Sequence, residues 1–140
     1  MLFRSKIIFL SGGGATRAMY GASSYGASKS GLVRFAETLA HELKQYNIDV
    51  NCVAPGAMNT EFLEQALKAG PEGIGEEFYQ QCLNQKNKGG VDFKVPTELI
   101  EFLLSEESDE ISGKLIAAVW DKWRDTPKGL SDIFTLKRAT

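Results

Sequence analysis

Lys6-Ile-Ile-Phe-Leu10, followed at once by Ser11-Gly-Gly-Gly14, is the stretch that decides the fold. An apolar run that breaks into glycines is typical of a β-strand buried on both faces and then a loop. A second run, Ile48–Ala54, ends at Pro55-Gly56, and a third is Lys114–Trp120. Strands that are apolar throughout favour a parallel sheet with helices on both faces.

The segments between these runs have a helical period. Between Ser24 and Gln45, apolar residues recur every three or four positions, which predicts an amphipathic helix. Ser23 or Ser24 can cap its start, and Asn47 lies where it should end. Shorter helices are predicted over residues 61–69, 75–86 and 96–104.

Composition restricts the class of protein. Among 140 residues, 16 Lys and Arg against 18 Asp and Glu leave a net charge of -2. That balance gives no electrostatic surplus for nucleic acid or an anionic membrane. The apolar runs are far shorter than the ~20 residues that span a bilayer, and the first is too short for a secretory signal peptide. We therefore expect a cytoplasmic protein that binds neither nucleic acid nor membrane.

The cysteines and the single histidine give little support for a metal or thiol site. Cys52 and Cys82 have no companion at metal-ligand spacing, and His41 falls on the polar face of the predicted helix. We expect no metal and interpret both thiols as packing residues in a reducing compartment, with a redox-active Cys82 as the alternative. A solvated turn is the interpretation of the acidic residues Glu106, Glu107, Asp109 and Glu110.

Tyr25 and Lys29 lie four residues apart near the start of the predicted long helix. At about 100° per residue, both fall close to the centre of its apolar stripe. A tyrosine that packs and a lysine that extends its ammonium to solvent would account for the pair. An acid–base pair is the other interpretation, because a nearby ammonium and a helix N-terminus both lower a tyrosine pKa.

Tyr25-Gly-Ala-Ser-Lys29, after a strand and a Gly-rich loop and before Asn51-Cys-Val-Ala-Pro55-Gly-Ala-Met-Asn-Thr60, closely resembles the second half of the short-chain dehydrogenase/reductases. The resemblance extends from Lys6 to about Asp121. It implies the last three strands of a Rossmann-like, doubly wound parallel sheet. It also implies hydride transfer between a carbonyl and an alcohol of a small-molecule substrate, with NAD or NADP as cofactor.

The resemblance also implies roles for individual residues. The tyrosine that matches Tyr25 exchanges a proton with the substrate oxygen, and the lysine that matches Lys29 lowers the tyrosine pKa and hydrogen-bonds the nicotinamide ribose. Residues 60–95, rich in Gly, Gln and Asn, would be a mobile cover that serves as the substrate lid. The nicotinamide would be held by the residues that match the family's segment, namely Pro55, Gly56, Met58 and Thr60.

Two departures from the family pattern bear on function. The family's active-site serine falls on Gly12, so the hydrogen-bond donor to substrate would be Ser11, Thr16 or no residue at all. The family's dinucleotide-binding half would precede Lys6 and is absent here. We expect one domain, residues 1–140, that corresponds to the catalytic half. The alternative to an enzyme is a truncated, inactive fragment that serves as an association module.

Other patterns are less specific. Gly12-Gly-Gly14 is interpreted as a permissive turn rather than a phosphate cradle, and Gly21-x4-Gly26-Ala-Ser-Lys29 has its lysine two residues too late for a P-loop. Trp120 and Trp123 are interpreted as packing residues, with stacking on a sugar-like substrate as the alternative. In the family, the helix matching Ser24–Gln45 packs in a dimer. We expect a homo-oligomer through the small and apolar residues Ser28, Phe35, Ala36 and Leu39.

Overall fold

Three parallel strands form the centre of the fold. In the computed structural model, which describes residues 4–125, β1 is Ser5–Leu10, β2 is Ile48–Ala54 and β3 is Leu115–Ala117. β2 lies between the other two strands, and both pairings are parallel. The carboxyl ends of the strands therefore meet at one edge of the sheet, where open α/β sheets bind ligands.

Helices cover both faces of this sheet. α1 (Ser23–Leu43) packs on one face against Cys52, and α4 (Lys94–Leu104) packs on the other against Val53. Adjacent residues of β2 pack against helices on opposite faces of the sheet, because side chains alternate between the two faces along a strand. The result is the predicted Rossmann-like, doubly wound arrangement. Ala36 belongs to the buried core under α1, so it is not available for the helix–helix contact expected of it.

Two further helices form the segment between β2 and α4. α2 (Glu61–Ile74) and α3 (Glu76–Lys88) pack on each other around Leu63, Ala66 and Cys82. The helix is interrupted at Gly70, with φ 68°, as predicted, and Pro71 begins a further helical turn that extends α2 to Ile74. The predicted cover therefore has a small apolar core of its own.

The structure corrects three local predictions. β1 is half-buried rather than buried on both faces, because it pairs only with β2 within residues 4–125. β3 ends at Ala117 instead of Trp120, because the chain turns there: the backbone N–H of Asp121 donates to the Ala117 carbonyl at 3.1 Å, and the backbone N–H of Ala117 donates to the Asp121 carboxylate at 2.6 Å. Neither Ser23 nor Ser24 caps α1, since the cap residue is Ala22. Asn47, with φ 56°, ends the helical segment as predicted.

An ion-pair cluster at the amino end of the sheet was not predicted. The Lys6 ammonium lies 3.0 Å from the Asp49 carboxylate and 2.7 Å from that of Asp109. Arg4 also pairs with Asp49, at 3.2 Å. The Lys6 and Asp49 side chains are 7% and 4% exposed. The acidic turn is exposed at Glu106, Glu107, Asp109 and Glu110, as predicted, and the ion pair of Asp109 with Lys6 is an addition that the sequence did not indicate.

None of the helices described between residues 4 and 125 is long and apolar enough to cross a membrane. Within the same residues, no group of three or more His, Cys, Asp and Glu side chains is placed to hold a metal ion.

Candidate active site

The carboxyl end of β1 brings together the residues that the sequence singled out on α1. Lys29 donates a hydrogen bond from its ammonium to the backbone carbonyl of Leu10 at 3.0 Å. One helical turn earlier, Tyr25 lies against the Gly-rich turn that follows β1. A single helix therefore presents a phenol and an ammonium at the ligand-binding edge of the sheet.

The glycines after β1 are required by the close approach of Tyr25. A Cβ placed on Gly12 would lie 2.5 Å from the Tyr25 hydroxyl oxygen, and one on Gly14 would lie 2.8 Å from two carbons of the same ring. Real Cβ atoms do not approach neighbours so closely. The turn thus provides the surface on which the phenol packs. The sequence interpretations, a permissive turn or a phosphate cradle, did not include this role.

Phe62 is a contact of Tyr25 that sequence reasoning missed. The two rings are stacked, with centroids 5.0 Å apart and planes inclined at 27°. Phe62 follows Thr60 by two residues, so its place at the start of the predicted lid was the available signal. The contact joins α2 directly to the tyrosine.

Burial raises the pKa of Tyr25 above its ordinary value of 10.0. The expected lowering by Lys29 is therefore wrong for this arrangement. The Lys29 nitrogen lies 5.9 Å from the centre of the Tyr25 ring and is directed to the Leu10 carbonyl, so desolvation of the phenol dominates. The hydroxyl keeps its proton at neutral pH.

Ser11 and Thr16, the two candidate hydrogen-bond donors, differ in their partners. Ser11 is 5% exposed, and its hydroxyl is buried with no hydrogen-bond partner among the described residues. Thr16 is exposed, and its hydroxyl donates to the Gly13 carbonyl at 3.3 Å. A buried hydroxyl without a partner calls for an explanation, and a ligand is one. Of the two candidate donors, Ser11 is therefore the one whose hydroxyl is available for a hydrogen bond to a ligand.

The loop from Pro55 to Thr60 is held by α3 and by the segment that follows it. Gln85 donates from its side-chain amide to the Met58 carbonyl at 2.9 Å, and the backbone N–H of Val91 donates to Ala57 at 2.9 Å. Gly56 has φ 96° and faces Val91 and Val119, where a Cβ would lie within 3.0 Å of both side chains. Thr60 is the N-cap residue of α2. Gln85 was not singled out from the sequence.

The remaining candidates lie outside this cluster. Trp123 is 5% exposed and donates from its indole N–H to the Ala118 carbonyl at 3.0 Å, so it packs as predicted. The same prediction is wrong for Trp120, which is 82% exposed because the chain turns after β3. Both free cysteines are buried, as expected of packing residues. Burial, with the charge of Glu37 second, raises the pKa of Cys52 to about 11, which keeps its thiol protonated. His41 is exposed.

Comparison with known proteins finds a matching family, similar sequences and similar solved structures. Residues 3–71 match the family described as short chain dehydrogenase. A cyclohexanol dehydrogenase of Rhodococcus sp. (strain TK6) is 33% identical over 99 residues, which are 69% of this chain and 33% of that protein. A solved short chain dehydrogenase family protein from Francisella tularensis is 28% identical with a TM-score of 0.65, over 80% of this chain and 48% of that one.

A second solved structure extends the likeness in fold. An actinorhodin polyketide ketoreductase, solved with NADPH, has a TM-score of 0.67 at 21% identity, over 81% of this chain and 45% of that one. The parallel sheet with helices on both faces defines the class as Rossmann-like α/β proteins. Together with the sequence matches, this fold shows that the chain belongs to the short-chain dehydrogenase/reductase family. The chain spans less than half the length of each relative named here.

Proposed function

We propose that this chain carries the catalytic residues of an NAD(P)-dependent oxidoreductase that transfers hydride between a carbonyl and an alcohol. The observation that carries the proposal is the placing of Tyr25 and Lys29 at the carboxyl edge of the sheet, one against Gly12 and the other on the Leu10 carbonyl. The NADPH bound to the ketoreductase of the same fold supports a nicotinamide cofactor. Either NAD or NADP is consistent with these residues.

The residues at this edge fit the nicotinamide end of such a cofactor. An ammonium has three protons, and Lys29 uses one on Leu10, which leaves two for the ribose hydroxyls. The loop of Pro55, Gly56, Met58 and Thr60, which Gln85 holds in place, would contact the nicotinamide. When bound, the cofactor supplies or accepts the hydride.

Tyr25 would act as the acid in the reducing direction. Its raised pKa keeps the hydroxyl protonated at neutral pH, so the hydroxyl can donate its proton to a substrate carbonyl oxygen as negative charge develops there. In the oxidising direction the same oxygen takes the proton back. The buried hydroxyl of Ser11 has no hydrogen-bond partner among residues 4–125, and we assign it the second hydrogen bond to the substrate oxygen.

Titration of the chain with NADH and NADPH, followed by nicotinamide fluorescence, tests the proposal. We expect saturable binding that Lys29→Ala weakens and Lys44→Ala does not, since Lys44 is exposed just beyond the far end of α1. Tyr25→Phe should keep binding and lose carbonyl reduction. A folded chain that binds neither cofactor at millimolar concentration would refute autonomous catalysis.

Association is the second candidate function. Phe35 is 54% exposed on α1, and its ring meets Phe9 of β1 edge-on at 5.8 Å. This apolar pair supports a homo-oligomer in which α1 contacts a second copy, and the two buried free thiols support a reducing, cytoplasmic compartment. Light scattering should show a dimer that Phe35→Ser dissociates and Phe93→Ser, at a 58% exposed position, does not.

A further inference from the structure

Phe62 stands apart from the other apolar residues of α2. Leu63 and Ala66 are buried in the cluster that α2 shares with α3, whereas Phe62 is 47% exposed. Successive residues of a helix lie about 100° apart, so Phe62 is directed away from that cluster. It is the one large apolar side chain among the exposed positions of α2. The packing of the lid helices therefore does not account for a phenylalanine here.

Tyr25 gives Phe62 its packing partner. The stacked geometry, 5.0 Å between centroids and 27° between planes, is the offset arrangement that aromatic pairs favour. Within residues 4–125 no side chain donates a hydrogen bond to the Tyr25 hydroxyl or accepts one from it, because Lys29 is directed to Leu10. The phenol is therefore positioned without a side-chain hydrogen bond, by the backbone of Gly12 and Gly14 and by the ring of Phe62, with the Lys29 ammonium 5.9 Å from the ring centre.

We propose that Phe62 is a positioning residue for Tyr25, which holds the phenol on the Gly12–Gly14 turn and keeps water from its ring. The inference rests on the proposed function of Tyr25 as the proton donor. Its consequence is that the first turn of the lid controls the tyrosine directly. Loss of the Phe62 ring would give the phenol rotational freedom and solvent contact at the same time.

Three variants separate the effect of the ring from that of its volume. Phe62→Ala removes both, Phe62→Leu keeps apolar volume without a ring, and Phe62→Tyr keeps the ring. Phe93→Ala is the matched control, since Phe93 is 58% exposed and lies outside the Tyr25 contacts. Each variant is first checked for a native amide spectrum by NMR, and Phe62→Leu carries the test if Phe62→Ala does not fold.

The readout is the titration of Tyr25 in tyrosine labelled with ¹³C at the ring carbon that bears the hydroxyl, with the resonance assigned by Tyr25→Phe. Desolvation is the cause of the raised pKa, so the midpoint should fall in Phe62→Ala, fall less in Phe62→Leu, and stay in Phe62→Tyr. An unchanged midpoint in Phe62→Ala, or an equal fall in Phe93→Ala, would overturn the inference.

This readout needs neither cofactor nor turnover, so it separates the inference from the proposed function. If the chain reduces no carbonyl but the Tyr25 midpoint responds to Phe62, the positioning role stands and the function fails. Where reduction is measurable, Phe62→Ala should lower kcat and leave the cofactor Kd unchanged, because Phe62 acts on the orientation of the proton donor. A lower cofactor affinity with unchanged kcat contradicts the positioning role.

Discussion

Gly14→Ala tests whether the ring of Tyr25 packs directly on the glycines of the turn after β1. The new methyl carbon would lie 2.8 Å from both Cδ1 and Cε1 of the tyrosine ring. Carbon atoms in contact are most stable at roughly 3.5–4.0 Å, so the overlap is about 0.7 Å or more with two atoms at once. The ring cannot move away freely, because Phe62 is stacked on it.

Overpacking of this kind destabilises a fold by about 1–3 kcal/mol. Gly31→Ala is the matched control, because a Cβ on that exposed glycine of α1 would meet nothing within 4 Å. Alanine replaces glycine in a helix with a gain of roughly 0.5–1 kcal/mol. The same chemical change is thus expected to lower the free energy of unfolding at one position and raise it at the other.

Urea unfolding followed by far-ultraviolet circular dichroism measures both effects. The midpoint should move to lower urea for Gly14→Ala and to higher urea for Gly31→Ala. Adding Tyr25→Ala should abolish most of the loss caused by Gly14→Ala, since the clashing ring is gone. The reasoning is wrong if Gly14→Ala unfolds with the wild type, or if its loss is the same with and without the Tyr25 ring.

Three further predictions concern stability. Lys6→Met leaves the buried Asp49 carboxylate with Arg4 as its remaining ion-pair partner and should lower the free energy of unfolding by about 1.5–3 kcal/mol in urea titrations. Asp109→Asn, which changes the partly exposed partner of Lys6, should lower it clearly less. Trp123→Phe leaves the Ala118 carbonyl without its indole donor and should lower it by about 1–3 kcal/mol, whereas Trp120→Phe, at an 82% exposed position, should change it by less than about 0.5 kcal/mol. Because the folded state holds the Tyr25 proton more tightly than the unfolded state, stability should fall as pH rises above 10.0, and Tyr25→Phe should remove that part of the fall in a series of melting temperatures.

The central strands could be predicted because burial and local pattern agree in them. β2 has the predicted bounds, Ile48–Ala54, since a strand between two others and under helices on both faces is mostly apolar. Its two polar residues, Asp49 and Asn51, are buried with partners, the Lys6 ammonium and the Ile111 carbonyl. The end of β3 could not be predicted in the same way. The apolar residues continue to Trp120, but the strand ends earlier at a turn closed by hydrogen bonds between Ala117 and Asp121, which the hydropathy pattern does not show.

The part of the candidate site that lies on α1 could be predicted from the sequence. The spacing of Tyr25 and Lys29 puts them on one face of α1, and a parallel sheet puts the start of that helix at the ligand-binding edge. Phe62 and Gln85 could not be found in this way. They reach the site through the packing of α2 and α3, and no local pattern specifies that packing.

The glycine at the position of the family's serine has a physical reason in this structure. Any side chain on residue 12 would begin 2.5 Å from the Tyr25 hydroxyl, so the phenol occupies the space that a serine would need. The hydroxyl that remains nearby in sequence is that of Ser11, which is buried and has no hydrogen-bond partner in the part of the chain that the structure describes. Lys29 is directed to the Leu10 carbonyl, so burial of the phenol rather than the lysine charge dominates the pKa of Tyr25. A Gly12→Ser change meant to restore the family pattern should therefore displace Tyr25 rather than add a donor beside it.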